Sequence, residues 1–223
     1  MAIETLIPGV TLVHVLAGVG ALLFGALAIL LKRNTPKHKI VGKIYFWCMS
    51  IIFVTGVFIS IIKGLLFLFF IAIFTYYAVL TAYRILSLKQ LNVTQKPKTI
   101  DWWIDIVAGI TFLGLVVFAI YYFVKNQSMD ALIPLTFGAM GLLGVGRNMQ
   151  RLKQKPKEKL HWMKVHIGNM CGSYIGAITA FVVNQSQHIP LPAVVLWLGP
   201  TLIITPIIFM ELKKVKFVPM QEN

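Results

Sequence analysis

Five histidines, His14, His38, His161, His166 and His188, are the side chains best suited to chemistry in this chain. Imidazole is the commonest protein ligand for metals and haem iron, and inside an apolar run it needs a partner. His166 lies in the stretch 160–184, LHWMKVHIGNMCGSYIGAITAFVVN, the most polar of the long apolar segments. At about 100° per residue, His166, Asn169, Ser173, Ala177 and Ala180 share one helical face. Hydrocarbon cannot hydrogen-bond to the first three, so they are expected to face other protein or a water-filled cavity. His14 sits on a comparable face with Gly18, Ala21, Gly25 and Ala28, small residues that admit a neighbouring backbone.

Two kinds of centre follow from this inventory. A haem b site needs axial histidines from two helices at matched depth, and His166 with His38 is the best pair. His161 would be a supporting or alternative ligand, with Asn169 and Ser173 as polar support. His14, toward the other side, would need His188, which reads as a loop residue in NQSQHIPLP. A transition-metal site cannot use His161 and His166 alone. Five residues turn a helix by about 500°, so the two rings point roughly 140° apart. His166 or His161 would have to meet His38, with Asp105 as a carboxylate ligand. Such a zinc site with an open position would suit hydrolysis of inner-leaflet lipids. The ordinary alternatives are a hydrogen bond from each histidine to a neighbouring helix and, for Asp105, a helix-dipole contact or a salt bridge to a nearby lysine. No Cys-x-x-Cys-His occurs, which excludes covalent haem. The last span holds no lysine for a retinal Schiff base. A third reading is a small-solute or ion transporter. It rests on the polar sixth span, the glycine-rich fifth (Pro134, Gly138, Gly141, Gly144, Gly146) and the seventh with Pro192, Pro200 and Pro206. Against it stands the lack of an acid at mid-membrane depth.

The elements that must position these groups are membrane spans. Of the 223 residues 58% are hydrophobic and 13% charged, against about 25% charge in a soluble domain. Seven runs are long enough to cross a bilayer, at about 9–31, 43–62, 65–84, 102–124, 131–147, 163–184 and 191–212. The expected fold is all-α, a single bundle of seven transmembrane helices. The second helix should begin early, with Thr35 as N-cap and Pro36 in the first turn. Thr99 or Asp101 is expected to cap the fourth. Cys48 and Cys171 lie inside apolar runs and suggest small buried residues, not a disulfide.

Charge sets the expected orientation. All but Lys63 and Lys125 of the 21 Lys and Arg residues fall in alternate connections and at the C-terminal tail. The positive-inside rule then puts the N-terminus outside and the C-terminus in the cytoplasm, in a cell inner (plasma) membrane. His38, His161 and His166 gather on the cytoplasmic side. The net charge of +14 reads as a collar for anionic lipid headgroups, not as a nucleic-acid surface. Partners are the bilayer and those headgroups, with a homo-oligomer left open. The tail after Lys216 is expected to be disordered.

Three stretches, HVLAGVGALLFGAL, HKIVGKIYF and HWMKVHIGNMCGSYIGAITAF, resemble a family of predicted bacterial multi-pass membrane proteins of unknown function. The pattern is His-x3-Gly, then His-Lys/Arg-x2-Gly-Lys/Arg, then His-Trp-Met. The first two stretches also resemble the histidine-bearing helices of cytochrome b-type membrane proteins, though Lys39 and Lys43 stand where arginine is usual. The resemblance implies location and layout, not mechanism.

Overall fold

Each of the seven apolar runs becomes a helix. The computed structural model describes residues 2–33 and 35–219. Its helices are α1 (Ala2–Leu30), α2 (Pro36–Ile62), α3 (Leu66–Arg84), α4 (Thr99–Asn126), α5 (Leu132–Lys153), α6 (His161–Asn184) and α7 (Ala193–Lys213). All seven, with α1 counted from Thr5 and α3 to Ser87, are long and apolar enough to cross a membrane. No β-strand occurs among the described residues, only the isolated bridges Leu91–Gln95 and Glu158–Pro219. The second bridge involves the tail expected to be disordered: Lys159 N–H donates to the Val218 carbonyl over 2.9 Å. Residues 220–223 lie outside the described part.

The helix ends follow local chemistry. Thr35 caps α2, accepting from the His38 N–H at 3.2 Å, ahead of Pro36 in the first turn. Asp101 closes the start of α4 by accepting from the Lys98 N–H at 2.8 Å. α5 overruns its apolar pattern to Lys153, since basic residues suit a helix C-terminus. That extra length carries Asn148 and Arg151 on helical register.

α3 and α6 pack together at the centre, with α2 and α4 against α3 and with α1 and α7 against α6. α5 lies on α4, and their glycines decide how closely. A Cβ built on Gly141 would stand 2.5 Å from the Phe112 ring, and one on Gly138 would stand 2.7 Å from Val116. The fifth span is therefore an unbroken helix whose glycines serve close packing. α7 likewise runs unbroken through Pro200 and Pro206.

Side-chain contacts sort the helix ends into two groups. Arg33 pairs with Glu211 at 2.6 Å, and Arg84 with Asp101 at 2.6 Å. With the contacts of His38, His166 and Asn148 described below, these bring the C-terminal ends of α1, α3, α5 and α7 to the N-terminal ends of α2, α4 and α6. This is the basic end. The opposite end is closed by aromatic rings, with Phe67 and Phe137 set 4.9 and 5.9 Å from Trp197. Large apolar side chains such as Leu16, Ile110, Val117, Leu202 and Ile203 face outward, as a hydrocarbon surrounding requires.

Candidate functional site

The polar face of α6 turns inward. The His166 Nδ1–H donates to the Ala82 carbonyl at 2.9 Å, and the Asn169 amide donates to the Thr81 hydroxyl at 2.9 Å, both on α3. Ser173 gives its proton to the Met170 carbonyl and accepts from the Tyr45 hydroxyl of α2 at 2.8 Å. His38, in the first turn of α2, donates from Nδ1 to the Ala28 carbonyl of α1 at 3.1 Å. His38 and His166 lie close enough to interact electrostatically. Each imidazole thus spends Nδ1 on a backbone carbonyl and keeps Nε2 free, the arrangement that orients histidine ligands in metal and haem proteins.

The remaining candidates lie elsewhere. His161 points away from that pair, as the turn of the helix requires; its Nδ1–H donates to the Glu158 carbonyl at 3.2 Å, and its buried Nε2 has no hydrogen-bond partner among the described residues. His14 meets Thr55 of α2 at 2.8 Å. Because Thr55 sends its own proton to Ile51, the ring N–H of His14 is the donor. His188 contacts Gln187 in the turn after α6. Asp105 belongs with α3 and α5 and not with the histidines. No group of three or more His, Cys, Asp or Glu among the described residues is arranged to hold a metal ion. The zinc arrangement of His38, His166 or His161 and Asp105 is therefore not assembled.

Asp105 anchors a different network. It is 0% exposed and accepts from the Tyr77 hydroxyl at 2.8 Å. The Asn148 amide reaches both of its oxygens, at 2.9 and 3.0 Å, and Arg151 in turn donates to the Asn148 carbonyl oxygen at 2.7 Å. The salt bridge to a lysine that is one alternative for Asp105 does not form among the described residues; the ion pair of α4 is made by Asp101, one turn earlier, with Arg84. Asp105 is instead a buried acid served by uncharged donors, with a guanidinium one residue removed.

In front of this network lies a cavity of about 410 Å³ between α3, α5, α6 and α7, within the range of small-molecule sites. Arg147, Arg151 and Lys164 line it with Asn148 and Asn169, and among the described residues no acidic one does. Lys164 is paired with Glu158 at 2.7 Å. Arg151 spends one nitrogen on Asn148. Arg147 makes no hydrogen bond or ion pair with any described residue. Several cationic donors are thus unspent, in a recess whose deeper wall is formed by Phe74, Met140 and Gly141. Sequence reasoning read Arg147 and Arg151 only as collar charges. The usable signal was their i, i+4 spacing with Asn148 beside Arg147, at the polar end of a helix that is largely apolar and glycine-rich before it.

No family model, curated protein or solved structure matches the chain. The fold and these sites define a class, a multi-pass helical membrane protein with a cationic recess and a histidine pair near one end of the bundle.

Proposed function

We propose that this protein is a membrane carrier for an anion, loaded from the basic recess between α3, α5, α6 and α7. The observation that carries the reading is three cations and two amides around one cavity, with no acid lining it among the described residues. Arginine donors at a site partly withdrawn from water bind phosphate or carboxylate oxygens more strongly than they do in bulk solvent. The charge pattern of the connections favours a cytoplasmic position for this end, and on this reading loading is from the inner face. α7, which borders the recess through Leu212, carries Pro200 and Pro206 inside it, and helices with freed backbone carbonyls are a device that carriers use.

The shared chemistry is an anionic phosphate or carboxylate, whether free or on a lipid head. Isothermal titration of the detergent-purified protein with inorganic phosphate tests the first source. Co-purification of phosphatidic acid from mixed nanodiscs, read by native mass spectrometry, tests the second. Wild-type protein should retain at least one, and the Arg147→Gln/Arg151→Gln double variant should lose it by tenfold or more. Equal retention by both proteins overturns the proposal.

A second reading is favoured by the free Nε2 atoms of His38 and His166, whose other nitrogens are fixed by the Ala28 and Ala82 carbonyls. These two residues would hold haem b or a transition metal, which would supply one-electron chemistry. The chain's own part is to orient the two rings. A Soret band or stoichiometric metal in the purified protein, lost in His166→Ala, supports it; a colourless, metal-free protein removes it.

A further inference from the structure

The recess is polarised along its length. At 1.5 Å per residue, the stretch of α5 from Met140 to Arg151 spans about 16 Å. Arg147, Asn148 and Arg151 occupy the basic end of it, and Met140, Gly141 and Gly144 the deeper part. The two polar groups near the deep wall are already engaged, Tyr77 with Asp105 and the Asn169 amide with Thr81. The deep half therefore offers a ligand mainly apolar surface. Its Met140 is 43% exposed, and the adjacent Leu143 is 60% exposed, so the deep end opens on the outward face of α5, the face that meets acyl chains. A volume of about 410 Å³ compares with about 30 Å³ for one water in the liquid, far more than a bare phosphate fills.

Resting on the reading of the recess as an anion site, we propose that its ligand is a lipid phosphate: the head held by Arg147 and Arg151, the chain lying along Phe74, Met140 and Gly141 and leaving sideways into the bilayer. A soluble anion would use only the basic half. An amphiphile uses both, and the order of polar and apolar walls matches its own.

The test titrates the intact protein in neutral detergent with inorganic phosphate and with butyl, octyl and dodecyl phosphate, using octanol as the headless control. Burying a methylene is worth about a fourfold gain in affinity. Affinity should therefore climb with chain length, octyl phosphate binding at least a hundredfold tighter than inorganic phosphate, and octanol should not bind. Gly144→Leu sharpens the result. A Cβ there meets only the Tyr77 ring, at 3.8 Å, so the leucine occupies the recess and should flatten the dependence on chain length. Equal affinity for phosphate and all three alkyl phosphates overturns the lipid assignment and leaves the anion site standing. Binding of octanol as tight as octyl phosphate also overturns it. Failure of every phosphate to bind overturns the anion site itself.

Discussion

Two polar regions share the basic end of the bundle, and they spend their hydrogen bonds differently. Along the seam of α1, α2, α3 and α6, the donors of His38, His166, Asn169, Ser173 and Tyr45 all find a carbonyl or hydroxyl on a neighbouring turn or helix. In the recess beside α5, the guanidinium of Arg147 has no described partner and Arg151 uses a single nitrogen. A polar group in a membrane protein that is fully paired holds helices together; one left with free donors in a cavity is available to a ligand. Asn169 belongs to both regions, donating to Thr81 while lining the recess.

The largest effect is expected behind the recess, at Asp105. Asp105→Ala removes the acceptor of the Tyr77 hydroxyl and the Asn148 amide at once. Each buried donor left unpaired costs about 1–3 kcal/mol, so thermal unfolding in detergent should show a loss of about 2–6 kcal/mol. Asp105→Asn keeps an acceptor and removes a negative charge from behind Arg151. It should fold, and it should bind phosphate more tightly than wild type, because the recess becomes more cationic. Weaker binding in Asp105→Asn would mean that Asp105 positions the arginines more than it offsets their charge.

Next comes the recess itself. Arg147→Gln with Arg151→Gln should lower anion affinity by about tenfold to a hundredfold, since each charge-assisted hydrogen bond is worth about 1.5–3 kcal/mol and Arg147 is exposed. Circular dichroism should be unchanged. A folding loss as large as the binding loss would show that these cations are structural, and the contrast between the regions would fail.

Why one region was legible in the sequence and the other was not comes down to the range of the interactions. The inward face of α6 could be read because a helix fixes the relation of His166, Asn169 and Ser173 within two turns, and hydrocarbon forbids the alternative. The early start of α2 could be read because Thr35 and Pro36 act on the residues beside them. The recess depends on partners far apart in sequence. Asn148 finds Asp105 43 residues away, and only the packing of α4 on both α3 and α5 determines that Asp101 takes the arginine while Asp105 takes the amide. The glycines of the fifth span suggested either close packing or a break. The choice between them is made by Phe112 and Val116 on another helix.

That packing gives a third, smaller test. Gly141→Ala puts a methyl group into the Phe112 ring, which is 0% exposed and has no room to retreat. Overpacking of this kind costs about 1–3 kcal/mol. Unfolding of Gly141→Ala should fall about that far below wild type. Gly146→Ala, where a Cβ meets nothing within 4 Å, should match wild type or exceed it slightly, given alanine's better helix propensity.

The smallest expected effect is on the seam. His166→Ala deletes one interhelical hydrogen bond, to a carbonyl two residues from the end of α3. The last four carbonyls of a helix have no partner within it, so water at the interface can take over from the imidazole. Single hydrogen bonds between membrane helices average about 0.6 kcal/mol, and the stability change should stay below about 1 kcal/mol. Phosphate affinity should stay within twofold, because His166 does not line the recess. A large loss of phosphate binding in this variant would join the two regions into one site. A small stability change together with loss of a Soret band would show that the free Nε2 atoms hold a haem, making the seam a second site in its own right.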